Sequence, residues 1–393
     1  MKDYSKTKLA CYLGFVTQAI VANFTPLLFV AFHREYKIPL ASMALVPAIF
    51  YIVQLITDLL CAKFKNIDYR KSIIISAITS AMGLAGLAFV PELFHNPMIG
   101  VLICVCIYAV GSGLIEVLCS PIIEACPFPD KESMMSLLHS FYCWGAVGVI
   151  VGSTIFFTLF GLENWRILTC IWALVPLYNI INFATCPIEP IVEDSEGMSM
   201  GQLLKSRTFW VFLVLMVATG ASESTMAQWT SAFAEASLGV DKAIGDLAGP
   251  CGFAFCMGLG RLWYGKKGQK LDLSAYMIGS GILCFAAYLT ASLSPVPLVS
   301  LAGCMICGLG VGIMWPGSIS ITSARIPGGG TALFALLALA GDMGGTLGPS
   351  LVGLCTGSAD NDIQGGLLAA SIFPVVLVVC LLGIRSESKK MQK

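Results

Sequence analysis

The chain has 393 residues, of which 57% are hydrophobic and only 12% are charged, and its formal net charge is zero. A soluble domain carries about twice that charged fraction. Neither the charge balance nor any basic tract points to a nucleic-acid partner. The hydrophobic residues fall in blocks of about twenty or more, enough for a helix to cross about 30 Å of hydrocarbon. The composition therefore predicts a polytopic helical membrane protein.

Blocks bounded by charges, prolines and polar clusters predict twelve transmembrane spans. In chain order they are 9–32, 40–61, 72–90, 98–125, 133–160, 166–186, 208–234, 244–264, 273–293, 297–323, 331–356 and 364–384. Pro26 lies inside the first block and no small-residue cleavage site follows it. We therefore interpret this block as a retained helix and not as a signal peptide.

Lysine and arginine are distributed unevenly between the two sides that these spans define. One side holds only four of the 23 basic residues, namely Arg34, Lys37, Arg166 and Lys242. Because cytoplasmic loops carry an excess of basic residues, the other side is predicted to be cytoplasmic, with both termini there. We expect a multi-pass protein of the plasma membrane, with the bacterial cytoplasmic membrane as the leading candidate.

The 16 cysteines lie mostly inside the predicted spans. Cys304 and Cys307 form a CxxC by spacing, but no second pair and no nearby histidine accompanies them. A structural zinc site needs about four ligands. We therefore predict small apolar packing residues, and neither a metal nor any other cofactor.

The chain divides into two halves that resemble each other. The polar segment 187–207 separates an amino-terminal half, 1–186, from a carboxy-terminal half, 208–393. PAIFYIVQLITDLLCAKF aligns with PCGFAFCMGLGRLWYGKK, and GSGLIEVLCSPIIEA aligns with GVGIMWPGSISITSA, at offsets of about 200 residues. Parallel six-helix repeats are typical of major facilitator transporters, which hold substrate near the midplane between the halves. The predicted fold is an all-α membrane protein with twelve helices in two pseudo-symmetric halves. A twelve-span protein without transport function is the alternative.

Glu116 is a carboxylic acid in the middle of the fourth predicted span. It lies about ten residues, or roughly 15 Å of helix, from the predicted cytoplasmic end. A carboxylate at this depth costs at least a few kcal/mol, so it usually faces a cavity and usually has a function. We predict that Glu116 binds a proton on one side and releases it on the other. A protonated glutamate hydrogen-bonded into the helix packing is the alternative.

Three further polar groups lie inside predicted spans. Glu223 lies in VATGASESTMAQWTSAF, His139 in LLHSFYCWG and Asp342 in ALAGDMGG. We predict proton-coupling roles for Glu223 and His139 and substrate contact for Asp342. Alternatively, Glu223 serves packing and a backbone carbonyl satisfies His139. The glycines beside Asp342 would let either a ligand or another helix approach closely.

The apolar spans also carry amide and aromatic groups suited to a polyol. They are Gln18 and Asn23 in span 1, Tyr142 and Trp144 in span 5, Gln228 and Trp229 in span 7, and Trp315 in span 10. Amides pair with hydroxyl groups while a flat ring covers an apolar sugar face. Interfacial anchoring is the alternative role for the aromatic residues.

Three short motifs stand in spans 4, 7 and 10. In span 4, Gly111, Gly113, Glu116 and Pro121 match the pattern GxGxxE-x3-N-P, with Ser120 in place of the amide. In span 7, Glu223 stands six residues before Trp229, and in span 10 GIMWPGSISI matches a stretch similar to SIMFPTIFSL. These motifs resemble those of the fucose-permease type of the major facilitator superfamily, the fucose–galactose–glucose:proton symporters. The resemblance implies that Glu116 is the span-4 proton-coupling acid and that Ser120 contacts substrate. The family's span-1 aspartate has no counterpart except Asn23, which leaves the proton stoichiometry and the identity of the sugar open.

A cytoplasmic gate is predicted where the superfamily places an acid and a basic cluster between spans 2 and 3. Asp58 supplies the acid and Arg70 a cation, while Arg261 occupies the position of Asp58 in the second half. Opposite charges there can pair across the halves when the inside is closed and separate when it opens. Ordinary positive-inside charge is the alternative.

Together these features predict proton-coupled uptake of a sugar or similar small polar solute by alternating access. The predicted partners are that solute, a proton and the lipid bilayer, and a monomer suffices. An exporter or antiporter of an apolar or cationic compound is the alternative, although GAVGVIVGS in span 5 lacks the proline of the drug-antiporter motif GxxxGPxxGG. A non-transporting sensor would need a soluble output domain, and the predicted loops are too short to form one. Nothing in the sequence resembles a catalytic dyad, so an enzyme is not predicted.

Overall fold

The computed structural model describes residues 4–38, 42, 45–64, 67–190, 197–236, 247–358 and 363–391. These residues form helices and connecting segments, with no β-strand among them. Three parts of the sequence predictions lie outside the described residues. They are Lys242, the centre of the predicted linker (191–196), and the starts of predicted spans 2 (40, 41, 43 and 44) and 8 (244–246).

The first of two compact units comprises Met1–Pro127, Phe141–Gly197 and Gly330–Ala335. Its helices, in chain order, are α1 (Ser5–Leu27), α2 (Phe29–Tyr36), α3 (Leu45–Lys63), α4 (Tyr69–Leu87), α5 (Pro97–Ala125), most of α6 (Lys131–Phe160) and α7 (Trp165–Thr185). The first residues of α6 belong to the second unit.

The second unit comprises Phe128–Ser140, Met198–Gly329 and Leu336–Lys393. Its helices are α8 (Met200–Lys205), α9 (Arg207–Ala236), α10 (Gly252–Lys267), α11 (Leu273–Leu293), α12 (Pro297–Val311), α13 (Met314–Arg325), most of α14 (Gly330–Ser358), α15 (Ile363–Ala370) and α16 (Ile372–Met391). The first residues of α14 belong to the first unit.

Ten helices among the described residues are long and apolar enough to cross a membrane, which confirms a multi-pass helical protein. The two remaining predicted spans correspond to α4 and α10. The first turn of α4 carries Arg70 and Lys71, which lower its mean hydropathy. Helix α10 has 16 residues, fewer than the about 20 that a span needs, and follows a π-helical turn that contains Pro250. The count of twelve spans therefore stays a prediction.

Span 10 is broken between α12 and α13, at Gly312 and Ile313. Pro316 has no backbone N–H, so it cannot donate to the carbonyl four residues earlier, that of Gly312. The next donor, Gly317 N–H, bonds to the Ile313 carbonyl at 2.8 Å and resumes the ladder. Pro316 therefore leaves the Gly312 carbonyl in need of a donor from elsewhere.

In the first unit, α4 packs closely on α5 through small residues. A Cβ atom on Gly83 would lie 2.7 Å from the Tyr108 backbone nitrogen, and one on Gly111 would lie 2.6 Å from the Ser76 carbonyl oxygen. Tyr108 is buried and donates from its hydroxyl to Thr25 on α1 at 2.9 Å. These contacts hold α5, the helix that carries Glu116, against α4 and α1.

In the second unit, α9 and α14 approach even more closely. A Cβ atom on Gly344 would lie 2.0 Å from the Val217 carbonyl oxygen, and one on Gly220 would lie 1.9 Å from that of Gly341. The glycines on either side of Asp342 therefore serve close helix packing, which small residues permit in membrane proteins.

Candidate functional site

Glu116 lies on α5, buried in the first unit, where two side-chain amides bind it. Gln18 Nε2, on α1, donates to Glu116 Oε2 at 2.9 Å. Gln54 Nε2, on α3, donates to the same oxygen at 2.5 Å. The three side chains are only 3–8% exposed. Side chains of α1 and α3 therefore converge on a single carboxyl oxygen of α5. Neither amide partner carries a formal charge.

The amide oxygens of the two glutamines differ in their partners. Gln54 Oε1 accepts a hydrogen bond from the Ser112 hydroxyl at 3.0 Å, which orients that amide. Gln18 Oε1 is buried and has no hydrogen-bond partner. A buried polar atom without a partner is costly, so it marks a place where a hydroxyl donor or a water would bind.

Sequence reasoning predicted Glu116 and Gln18 but missed Gln54 and Ser112. An available signal was the amide of Gln54 within the otherwise apolar stretch IVQLI, four residues before Asp58. Residues four apart share a helix face, so Gln54 and Asp58 point to the same neighbour.

Asp58 is fully buried on α3 beside α5. A Cβ atom on Gly113 would lie 3.4 Å from Asp58 Oδ1 and 2.9 Å from the Cβ of Thr57. The glycine of the span-4 motif thus admits Asp58 within one turn of Glu116. Asp58 and Arg261 belong to different units, so their predicted pairing stays a prediction.

Arg70 caps the end of another helix in the first unit. Its guanidinium donates to the carbonyls of Phe183, Ala184 and Cys186, at 2.7, 3.1 and 2.9 Å. These carbonyls lie at the carboxyl end of α7, where the last turn of any helix lacks internal donors. This geometry gives Arg70 a structural task beside its predicted gate role.

The remaining first-unit candidates are less closely connected to Glu116. Ser120 is buried on α5 one turn after Glu116, on the same face. Asn23 Nδ2 donates to the Ala19 carbonyl of its own helix at 2.8 Å. Tyr142 is half-buried on α6.

The second unit contains a buried ion pair. Arg261 Nη2, on α10, lies 3.1 Å from Glu223 Oε2, on α9, and the two side chains are 3% and 18% exposed. Arg261 Nη1 donates to the His139 carbonyl on α6 at 3.1 Å, and Nε donates to the Gly312 carbonyl at 2.8 Å. The structure therefore brings Arg261, which was predicted as a gate residue, together with Glu223 and His139, which were both predicted in proton coupling.

The aromatic candidates of the second unit contact α14. A Cβ atom on Gly341 would lie 2.2 Å from a ring carbon of Trp315, so this indole packs on bare helix backbone. Trp229 Nε1 donates to the Pro349 carbonyl at 3.0 Å. Asp342 is half-buried on the same helix, and Gln228 on α9 is exposed.

Comparison with known proteins identifies the family. The family model of the Major Facilitator Superfamily matches residues 10–349. The chain belongs to this superfamily. Major Facilitator Superfamily proteins are transporters, so the prediction of a transporter and not an enzyme is confirmed at that level. No curated protein matches the sequence.

Solved structures of the Major Facilitator Superfamily share the fold. The E. coli fucose:proton symporter FucP superposes with a TM-score of 0.80 at 15% identity, covering 97% of this chain and 98% of that one. The proton:xylose symporter XylE gives 0.74 at 14% identity, covering 96% and 95%. The human organic anion transporter MFSD10 gives 0.72 at 14% identity, covering 97% and 100%. These likenesses confirm the all-helical major facilitator fold, and the count of twelve spans and the side of the termini stay predictions.

Among the described residues, no group of three or more His, Cys, Asp or Glu side chains could hold a metal ion. Cys307 of the CxxC lies with its sulfur 3.7 Å from that of Cys284, on the neighbouring helix α11. Both side chains are buried in the second unit.

Proposed function

We propose that this Major Facilitator Superfamily protein is a symporter of the plasma membrane that couples proton entry to uptake of a sugar or similar small polar solute. Its mechanism is alternating access, and Glu116 is the proton site. The observation that carries the proposal is the convergence of Gln18 and Gln54 on one buried oxygen of Glu116.

The neutral partners make Glu116 a suitable proton carrier. Removing a carboxylate from water costs several kcal/mol. A hydrogen bond to a charged group returns about 1.5–3 kcal/mol, so two amide donors offset much of that cost. When Glu116 takes up a proton, neither amide becomes an unpaired buried charge. Both charge states of the carboxyl group are therefore accessible.

Glu223 differs from Glu116 in this respect. Neutralising Glu223 would deprive Arg261 of its carboxylate, and a buried arginine cannot lose its own proton. The cost of an unpaired buried charge opposes protonation of Glu223, so in our proposal Glu116 carries the proton and Glu223 keeps its ion pair with Arg261.

The unsatisfied oxygen of Gln18 links the proton site to a polyol. A sugar hydroxyl that donates to Gln18 Oε1 would bind an amide whose nitrogen already bonds to Glu116. Coupling requires only that the proton and the solute favour the same conformational state. The resemblance to the fucose-permease type and the folds of FucP and XylE support a sugar as the solute.

The test measures solute-triggered proton flux in proteoliposomes that contain a pH dye. A panel of hexoses, deoxyhexoses and polyols is added to the unaltered protein, to Glu116→Gln and to Glu163→Gln. Glu163 lies in an exposed connection and controls for loss of a carboxylate as such. We expect flux with at least one sugar, at least tenfold lower in Glu116→Gln and unchanged in Glu163→Gln.

Two results would contradict the proposal. Undiminished flux in Glu116→Gln would remove its proton role. Absence of proton flux with every solute of the panel, from a protein that remains folded and monodisperse, would refute a sugar as the substrate. The search would then turn to cationic and apolar solutes.

A further inference from the structure

Arg261 connects four separate parts of the second unit. It lies on α10 and binds the carboxylate of Glu223 on α9, the His139 carbonyl on α6 and the Gly312 carbonyl at the break in span 10. The residue is only 2% exposed. Its guanidinium presents five N–H donors in a rigid plane, which fixes the directions of its acceptors relative to one another.

The Gly312 carbonyl is the one that Pro316 leaves without a helical donor. In an unbroken helix the N–H of residue 316 would bond to it, but proline has no N–H. Arg261 Nε replaces that missing donor at 2.8 Å. A bond of this kind, with a charged donor and a buried acceptor, is stronger than an ordinary helical bond.

Close helix packing brings Arg261 to this carbonyl. A Cβ atom on Gly308 would lie 2.3 Å from the Phe253 carbonyl oxygen, and one on Gly312 would lie 3.0 Å from that of Met257. Both carbonyl groups belong to α10, so the end of α12 lies directly against the helix that carries Arg261.

The break also determines where Trp315 lies. Trp315 is in the first turn of α13, directly after the break, and its indole packs on Gly341 of α14. A change in the direction of α13 would therefore move the indole along α14. The Gly312 carbonyl, three residues before Trp315, is held by a side chain that an ion pair orients.

We propose that Arg261 is a positioning residue that holds the break in span 10, and with it the Trp315 indole, in a geometry set by the charge on Glu223. This inference rests on the proposed function only in that Trp315 contacts the solute. The predicted effect on the break itself requires no substrate.

Hydrogen–deuterium exchange of the purified protein in lipid nanodiscs tests the proposal. Arg261→Gln should speed exchange of the amides in 313–318 by about tenfold, because the strongest bond to the break is lost. Pro316→Ala restores the missing N–H, so the Gly312 carbonyl regains a helical donor. In that background Arg261→Gln should change exchange of the same amides by less than about twofold.

The role of Glu223 is tested in the same way. Glu223→Gln should speed exchange in 313–318, and this effect should disappear when Arg261 is already glutamine. Amides of 112–118, around Glu116 in the other unit, serve as the internal control and should not change. In transport assays Arg261→Gln should raise KM more than it lowers Vmax, and Pro316→Ala should reverse that rise.

Three results would overturn the proposal. One is unchanged exchange in 313–318 on removal of Arg261, and another is an equal increase with and without Pro316. The third is a Glu223→Gln effect that persists without Arg261. If Arg261→Gln folds only when combined with Pro316→Ala, that rescue supports the proposal, and failure to fold in both backgrounds contradicts it. Because exchange needs no solute, these outcomes are independent of whether the protein transports a sugar.

Discussion

Glu116 shares one oxygen between two amides, and the second glutamine is itself held by Ser112. The chain of donors runs from Ser112 through Gln54 to Glu116, so the position of the acid depends on side chains of α3 and α5 together. The observed site therefore contains Gln54 and Ser112, which the predicted site lacked. A buried acid is recognisable in a sequence because a charged side chain inside the membrane costs free energy and is therefore rare there. Its neutral partners on other helices look like ordinary polar residues until the helices are placed side by side.

Removing Gln54 tests this dependence. Gln54→Leu deletes one donor to Glu116 and the acceptor of the Ser112 hydroxyl, all of which are buried. Leaving such groups unsatisfied costs about 1–3 kcal/mol each. We expect a lower thermal unfolding midpoint in detergent and a several-fold loss of solute-driven proton flux. Ser112→Ala, which leaves the Gln54–Glu116 bond intact, is the matched control and should retain most of the flux. Equal loss in both variants would contradict a direct role for Gln54.

Among the helices, the positions of side chains depend on contacts that hydropathy does not report. Arg261 was predicted as a gate residue at a cytoplasmic helix end, whereas the structure buries it against Glu223 and the break in span 10. The sequence contained Pro316, so a break was foreseeable in principle. Which donor would bond to the Gly312 carbonyl was not foreseeable, because α10 and α12 meet only after folding.

The contact between α9 and α14 should not tolerate a methyl group. In Gly344→Ala the new Cβ would lie 2.0 Å from the Val217 carbonyl oxygen, a backbone atom that cannot rotate away. Overpacking of this kind costs about 1–3 kcal/mol. Gly279→Ala on α11 is the control, since nothing lies within 4 Å of its new methyl group. We expect a clear fall in the unfolding midpoint for the first variant and none for the second. A tolerated Gly344→Ala would show that α9 and α14 are further apart.

The cap on α7 provides a second prediction for an element. Arg70→Ala removes the donors to three carbonyls at the end of that helix. We expect faster hydrogen–deuterium exchange in 181–186 and a loss of about 1 kcal/mol of stability. Arg70→Lys keeps the charge, but a single ammonium group cannot reproduce the planar fork, so it should rescue only part of the protection. Full rescue by lysine would indicate that charge alone matters.

For the whole molecule, hydrophobic block length predicted most of the architecture, and each of the twelve predicted spans contains a described helix. Block length could not distinguish a continuous helix from an interrupted one. The predicted spans at 9–32, 297–323 and 364–384 each contain a short interruption in the structure. Helices α4 and α10 are the two for which length and hydropathy leave the crossing undecided. Their crossing determines whether the chain has twelve spans and both termini on one side.

Cysteine labelling in cells decides whether α4 and α10 cross. The segment 88–96 after α4 contains no Lys or Arg, whereas Arg70 and Lys71 lie in the first turn of the helix. Basic residues favour the cytoplasmic side, so the two ends should lie on opposite sides of the membrane. The 16 native cysteines are all buried or half-buried, which keeps background labelling low. A membrane-impermeant maleimide should label Leu93→Cys in intact cells and Lys71→Cys only after permeabilisation, as both positions are highly exposed.

If α9 and α10 both cross, Lys205→Cys and Lys270→Cys should behave like Lys71→Cys. Identical labelling of positions 71 and 93 would show that α4 does not cross and would refute the twelve-span topology.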